Sequence, residues 1–265
     1  YNDAEDCEDN SIDENSKIVV WMCYYDKSQS DRDVSETTTI SLDASNSDAG
    51  NPEEYISDYN WDLDLNDDAD NDGDSENDVD LSGESANWND VEPGEYEIKL
   101  NIINSQGLVD SDTIKIYVSY AAKWSDFEMG GNTSGSGVEL DFDVKISYDR
   151  DSGNTIRKVV AELTYPQQDD GCINTIANNC RAKLDVYSYN EDDDEAGNTS
   201  NVGLDQRDDG DDCDDSNDCV FLTMSSYLFG DGENTYGDGD WTFKIKNDKA
   251  NDLQVESFVI RLVYV

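Results

Sequence analysis

The chain has 265 residues and carries 64 acidic against 17 basic side chains, a formal net charge of -47, with no histidine. That charge excludes a nucleic-acid backbone binder and a polybasic membrane contact, both of which need a basic face. The missing imidazole removes the usual general base near neutral pH, the catalytic-triad imidazole and the commonest zinc ligand.

Five Trp, fifteen Tyr and six Phe lie among regular apolar runs, so the sequence reads as folded β domains with acidic loops rather than a disordered polyanion. Repulsion on this scale requires neutralisation by salt, divalent cations or both. Residues 1 to 16 are polar and acidic, and Cys7 is placed to tie them down. No signal-peptide or membrane-spanning run is present, and the start at Tyr1 in an acidic segment is expected of a processed protein or an excised fragment. Strands are predicted at 17–25, 37–42, 55–63, 95–103 and 112–118. In the last two the alternation is clean: Tyr96, Ile98, Leu100 and Ile102 share one face, as do Ile114, Ile116 and Val118. This is the pattern of a two-sheet sandwich, with Trp61 expected in its core between Tyr59 and Leu63.

Near residue 120 the pattern restarts across Gly/Ser-rich ground, which predicts a boundary between domains 1–120 and 121–265. Beyond it, 138–148 places Leu140, Phe142, Val144 and Ile146 inward, and further strands are predicted at 156–165, 181–189 and 219–229. At the end, Trp241, Phe243 and Ile245 share a face, and so do Phe258, Ile260, Leu262 and Tyr264. Val259 and Val263 opposite the latter predict a central strand covered on both sides. The fold class is therefore all-β, with two β-sandwich domains.

Six cysteines form three local groups, Cys7 with Cys23, Cys172 with Cys180 and Cys213 with Cys219. The even number favours disulfides and an oxidising compartment, and sequential pairing is expected because each pair then closes a short loop. None of the groups is Cys-x-x-Cys, which argues against a redox motif or a zinc knuckle.

The blocks Leu42 to Ser45 (LDAS), Tyr59 to Asp62 (YNWD) and Gly94 to Leu100, with a turn around Ser105 to Gly107, follow one another in an order that resembles the PKD domain. The resemblance covers residues 17 to 119 and implies an immunoglobulin-like sandwich. The acidic insertion 66–80 is longer than that family's turn, and the proline-led entry is absent. The stretch 237–264 more weakly resembles the closing hairpin of the P domain, the jelly-roll module of proprotein convertases and secreted bacterial proteases. The family's histidine is absent, with Tyr148 near its place, and 166–220 departs from the pattern.

Two acidic turns are candidate metal sites. Asp68, Asp70, Asp72, Asp74 and Glu76, with Gly73 at the turn, open like a twelve-residue calcium loop, although Val79 stands where a bidentate acid would close it. Asp231, Glu233, Asp238 and Asp240 sit on a glycine-rich turn anchored by Trp241. For both, a solvated acidic surface is the alternative, and the same holds for the cysteine loop 206–219. The sequons at Asn132 and Asn198 read equally as acceptors or as accidents of composition. Acid pairs could serve a glycosidase, but with this many acids some pairs are inevitable, and no serine has an imidazole to activate it.

The expected function is that of a non-catalytic, secreted, calcium-stabilised module that supports an extracellular hydrolase or targets it to its substrate. Its partners would be an upstream catalytic domain, an insoluble protein or polysaccharide, or copies of itself, with Trp88 and Tyr117 as exposed aromatic contacts. Nucleic acid and membrane insertion are excluded, and the location is extracellular or the cell surface. The alternative is a structural or adhesive surface or filament protein that assembles through its sandwiches.

Overall fold

The computed structural model describes residues 12–13, 17–69, 71–132, 137–167, 181–207, 213–214, 216–249 and 251–264. Regular structure there is extended, apart from 3₁₀ turns at Leu204–Gln206 and Ser226–Phe229. In chain order the first strands are β1 (Ile12–Asp13), β2 (Lys17–Lys27), β3 (Asp33–Val34), β4 (Thr38–Asp43), β5 (Ile56–Asp62), β6 (Leu81–Ser82), β7 (Ser85–Val91), β8 (Gly94–Asn104) and β9 (Val109–Met129). The remainder are β10 (Val138–Ile146), β11 (Lys158–Pro166), β12 (Leu184–Tyr189), β13 (Glu195–Asn198), β14 (Asn217–Ser225), β15 (Gly239–Asn247) and β16 (Leu253–Val263). The protein is all-β, built as two sandwich-like domains.

In the first, strands in the order β6-β5-β8-β9 face the β4-β7 pair. The register sets Ile98 opposite Ile114 and Tyr96 opposite Ile116, so the alternating residues meet on one face. Trp61 is buried as its spacing predicts, and its indole N–H donates to the Gly83 carbonyl at 2.9 Å. Strand β7, SANWNDV, has no aliphatic alternation to announce it. Polar rungs support its pairing with β4: Thr39 Oγ1 donates to Asn89 Oδ1 at 3.1 Å and Ser41 Oγ to Asn87 Oδ1 at 3.0 Å.

In the second, the order β14-β11-β16-β9 faces β13-β12-β15-β10-β3. Trp124, Phe142 and Phe258 pack with centroids 4.8, 4.6 and 6.1 Å apart, and Phe229 meets Trp241 at 5.1 Å. Strand β16 lies between β11 and β9, with Val259 and Val263 buried on the face opposite Phe258 and Ile260.

Strand β9 serves both domains, because one sheet in the order β14-β11-β16-β9-β8-β5-β6 runs continuously through them. Its residues up to Val118 pair with β8, and those from Tyr120 onward pair with β16. Strand β2 runs parallel along the same strand from Lys115 to Trp124. The strand therefore passes Tyr120 without a break, and the glycine-rich segment follows it rather than interrupting it. Further on, β3 adds to the second domain's sheet, parallel to β10. Cross-domain contacts join the two, with Lys145 Nζ 2.9 Å from Glu92 Oε2 and Asn154 Oδ1 accepting from the Glu95 amide at 2.9 Å.

Cys213 and Cys219 form a disulfide with Cα atoms 5.9 Å apart, the pairing expected of neighbours. Cys23 is also disulfide-bonded. Cys7, Cys172 and Cys180 lie outside the described residues.

Candidate functional site

The acidic segment after β5 folds as a loop held by its own carboxylates. Asp68 accepts from the Asp72 amide at 3.0 Å and from the Gly73 amide at 2.9 Å. Gly73 takes φ +97°, a left-handed conformation that L side chains rarely adopt. Asp72 accepts from the Asp74 amide at 2.9 Å and from the Asn77 side chain at 3.1 Å, while Asp74 accepts from the Glu76 amide at 3.2 Å. Glu76 pairs with Lys99 at 3.2 Å. Asp70 lies outside the described residues. The carboxylates singled out by spacing thus hold the turn itself.

Beneath that turn lies a group that spacing does not single out. Asp62 ends β5 beside the core Trp61 and is fully buried. Its Oδ1 accepts from the Asp64 amide at 3.3 Å, and its Oδ2 has no partner. Asp80 Oδ2 accepts from the Leu63 amide at 2.6 Å, and the Asp80 amide donates to the Trp61 carbonyl at 2.9 Å, closing the loop's neck. Asp78, also buried, accepts from the Ala69 amide at 2.8 Å. Burial, with the charges of Asp80 and Asp78 beside it, pushes the Asp62 carboxyl up to about 6. A raised carboxyl suits an acid catalyst, but one sealed from solvent meets no substrate. The only sequence signal for it was an acid directly after a core tryptophan in a strand.

The second predicted cluster is spread along its turn. Asp231 and Glu233 are exposed. Asp238 accepts from the Tyr148 amide at 3.5 Å, and Asp240 stands opposite Lys145 across the β10–β15 ladder. Trp241 anchors this turn through its indole N–H, which donates to the Gly237 carbonyl at 3.2 Å. Among the described residues no three Cys, Asp or Glu side chains are gathered as a ready metal cage.

Neither expected aromatic contact is open. Tyr117 is only 7% exposed on β9, where β2 lies alongside and Lys17 stands 5.2 Å from its ring centroid. Trp88 is half-buried edge-on against Tyr96 at 5.0 Å. The Asn198 sequon is engaged, its Oδ1 accepting from the Ser200 amide at 3.0 Å. In the sequon at Asn132, Thr133 and Ser134 lie outside the described residues.

The aromatic face that the fold does build is the outer side of the second domain's smaller sheet. Register forms two rows across it: Asn198, Tyr187, Lys244 and Asp141, then Glu195, Tyr189, Thr242 and Asp143. Lys244 lies 5.3 Å over the Tyr189 ring and Lys246 lies 5.6 Å over Tyr187. Thr242 Oγ1 donates to Asp143 at 3.2 Å, and Lys244 stands 3.6 Å from Asp141. Tyr187 and Tyr189, two residues apart and so on the same face of β12, stand among paired carboxylates and ammonium groups. A cleft of about 400 Å³ beside Trp61 is lined by Ile98, Leu100, Asp43 and Asp112 among others. Asp43 there stays charged, held below the usual carboxylate range by the Ser45 amide and hydroxyl.

No protein-family model and no curated protein sequence matches the chain. Among solved structures it is similar to carbohydrate-binding modules of the β-sandwich superfamily, at 14% identity and a TM-score of 0.28, covering 89% of this chain and 93% of that one. It is also similar to the secreted serine protease VesC from Vibrio cholerae, at 11% identity and a TM-score of 0.22, covering 100% of this chain and 53% of that one. A third likeness, to the infectious bursal disease virus VP2 subviral particle, has 10% identity and a TM-score of 0.29, covering 85% and 56%. Likenesses this distant bear on neither ligand nor activity. No helix among the described residues is long and apolar enough to cross a membrane.

Proposed function

We propose that the protein is a non-catalytic, extracellular binding module that holds an insoluble polymer, polysaccharide in the first instance, on the outer face of the β13-β12-β15-β10-β3 sheet. The observation that carries this reading is the pair of rows around Tyr187 and Tyr189. A sugar that displaces the ammonium groups of Lys244 and Lys246 from these rings lays its C–H faces on them, while the displaced ammonium groups, flanking carboxylates and a threonine hydroxyl exchange hydrogen bonds with its hydroxyls. Such a face binds a chain laid along it and offers no cleft for cleavage. On this reading it tethers a hydrolase domain of the same protein to its substrate, as the PKD-like and P-domain-like features of the sequence suggest. Calcium stabilises the acidic turns and offsets their repulsion, and the disulfides suit an oxidising, salt-rich exterior.

The test is retention of the protein on insoluble cellulose, chitin and mixed-linkage glucan. The double variant Tyr187→Ala/Tyr189→Ala is expected to weaken retention by on the order of tenfold or more with its melting temperature little changed. Equal retention of wild type and variant on every matrix would sink the proposal.

A second reading, adhesion between copies of the chain, is favoured by the far tip of the first domain. There Tyr55, Leu108 and Val109 are 67%, 65% and 64% exposed at the β8–β9 turn and the adjoining loop, which the Ser105 amide ties to the Tyr55 carbonyl. On that reading Leu108→Ser/Val109→Ser lowers the sedimentation mass of concentrated protein. A monomer at every concentration would remove it.

A further inference from the structure

We infer that a single hard divalent cation, calcium by its oxygen chemistry, is anchored at the neck of the β5–β6 loop by Asp62, with Asp78 and Asp80 closing over it. Asp62 Oδ2 is a fully buried carboxylate oxygen with no hydrogen-bond partner. An unmatched buried charge is among the more destabilising features a fold can carry, so its persistence calls for a counter-ion. Lys99, directly across the β5–β8 ladder, offsets the Asp62 charge only in part: its ammonium binds Glu76 at 3.2 Å and makes no hydrogen bond to Asp62 Oδ2. The acidic neighbours beside Asp62 are Asp78 and Asp80, each fixed through Oδ2 to a backbone amide of the same loop. Asp62 and Asp78 are buried at this neck and Asp80 is exposed at its rim, so a cation entering from the rim would find an unpartnered buried carboxylate oxygen with two further carboxylates beside it.

Calcium takes six to eight oxygens, and backbone carbonyls and water supply those that carboxylates do not. Because the three side chains are not gathered as a ready cage, binding draws Asp78 and Asp80 inward. That ordering places the dissociation constant in the range of extracellular modules, about 0.1–1 mM. The glycine turn at Asp68 to Glu76 is then the scaffold and not the ligand set, since Asp68 and Asp72 already hold its amides. This inference rests on the calcium-stabilisation reading and refines where the ion sits.

The experiment uses the full chain, with terbium as a luminescent stand-in for calcium sensitised by Trp61, and melting in EDTA or calcium with ionic strength matched by sodium or magnesium. Expected are terbium emission and a calcium-specific rise in melting temperature that Asp68→Asn retains. Asp62→Asn is expected to lose both while melting no lower than wild type in EDTA. Should Asp62→Asn fold poorly, Asp80→Asn is expected to weaken terbium binding by on the order of tenfold or more. If Asp68→Asn abolishes the increment and Asp62→Asn keeps it, the ion sits in the glycine turn and this inference fails while the calcium reading stands. If wild type shows no calcium-specific increment, both fail.

Discussion

Arg207→Ala is expected to destabilise the second domain by about 3–5 kcal/mol, the range for removing one partner of a buried ion pair. The guanidinium is fully buried. Its Nη2 lies 2.5 Å from Asp185 Oδ1, and Nη1 donates to the Tyr165 hydroxyl at 2.7 Å and the Leu184 carbonyl at 2.6 Å. Nε donates to the Val202 carbonyl at 3.2 Å. These partners come from β11, β12 and the loop after β13, so one side chain stitches three segments together. Removal leaves a buried Asp185 with Lys183, 3.3 Å away and partly exposed, as its remaining cation. Tyr165 does not compensate, since burial pushes its phenol up to about 12 and keeps it neutral.

Arg207→Lys should recover little, because an ammonium cannot reproduce the fork that reaches Asp185 and the Leu184 carbonyl together. Denaturant unfolding at low salt and at about 1 M salt separates this pair from the exposed ones. The loss should persist at high salt, where surface pairs such as Lys145–Glu92 are screened. A loss below about 1 kcal/mol would show that water, not Asp185, satisfies the guanidinium.

Trp124→Ala is the second large effect, expected to cost about 3–5 kcal/mol. The ring is fully buried on the second half of β9, packed on Phe142 and Phe258, and its indole N–H donates to the Asp31 carbonyl at 2.7 Å. Truncation therefore opens a cavity in the second core and also frees the 28–36 segment that carries β3 to β10. Beside it, Lys27 pairs with Glu36, and Glu36 accepts from the buried Tyr120 hydroxyl at 2.5 Å. Hydrogen exchange should accordingly rise at Val34 and Asp143 before the rest of the sheet. Trp124→Phe keeps much of the ring packing but abandons the Asp31 carbonyl, so it should lose less stability while still loosening β3. Unchanged exchange at β3 in both variants would mean that the segment is held by its other contacts, the Lys27–Glu36 pair and the bond from Arg32 Nε to the Asp141 carbonyl at 2.7 Å.

The strands legible in the sequence were those whose residues alternate. Ile98 and Ile116 in the first domain, and Phe142, Trp241 and Phe258 in the second, are buried as their period-two spacing predicts, since a pleated strand turns alternate side chains to one face. Strand β7 escaped because its apolar rhythm is only Ala86 and Trp88, opposite Leu42 and Ile40, with Asn and Ser between them. Tyr117 was read outward from that rhythm, yet β2 lies alongside β9 and brings Lys17 over its ring. The acidic turn was legible as a calcium-like spacing from Asp68 to Glu76. Asp62 was not, because one acid among 64 acquires meaning only once β5, β8 and the loop neck have sealed it from water.

By itself the sequence determined the all-β class, the two sets of core residues and the exclusion of basic-surface functions, for these follow from local periodicity and net charge. Tertiary structure alone decided that β9 carries one sheet through both domains, that β3 joins the second domain, and that Tyr187 and Tyr189 form rows with Lys244 and Thr242. It alone decided that Asp62 is sealed without a partner for Oδ2. Each of these depends on pairing between segments far apart in the chain, and strand register and burial are properties of neighbours in space that no local pattern encodes.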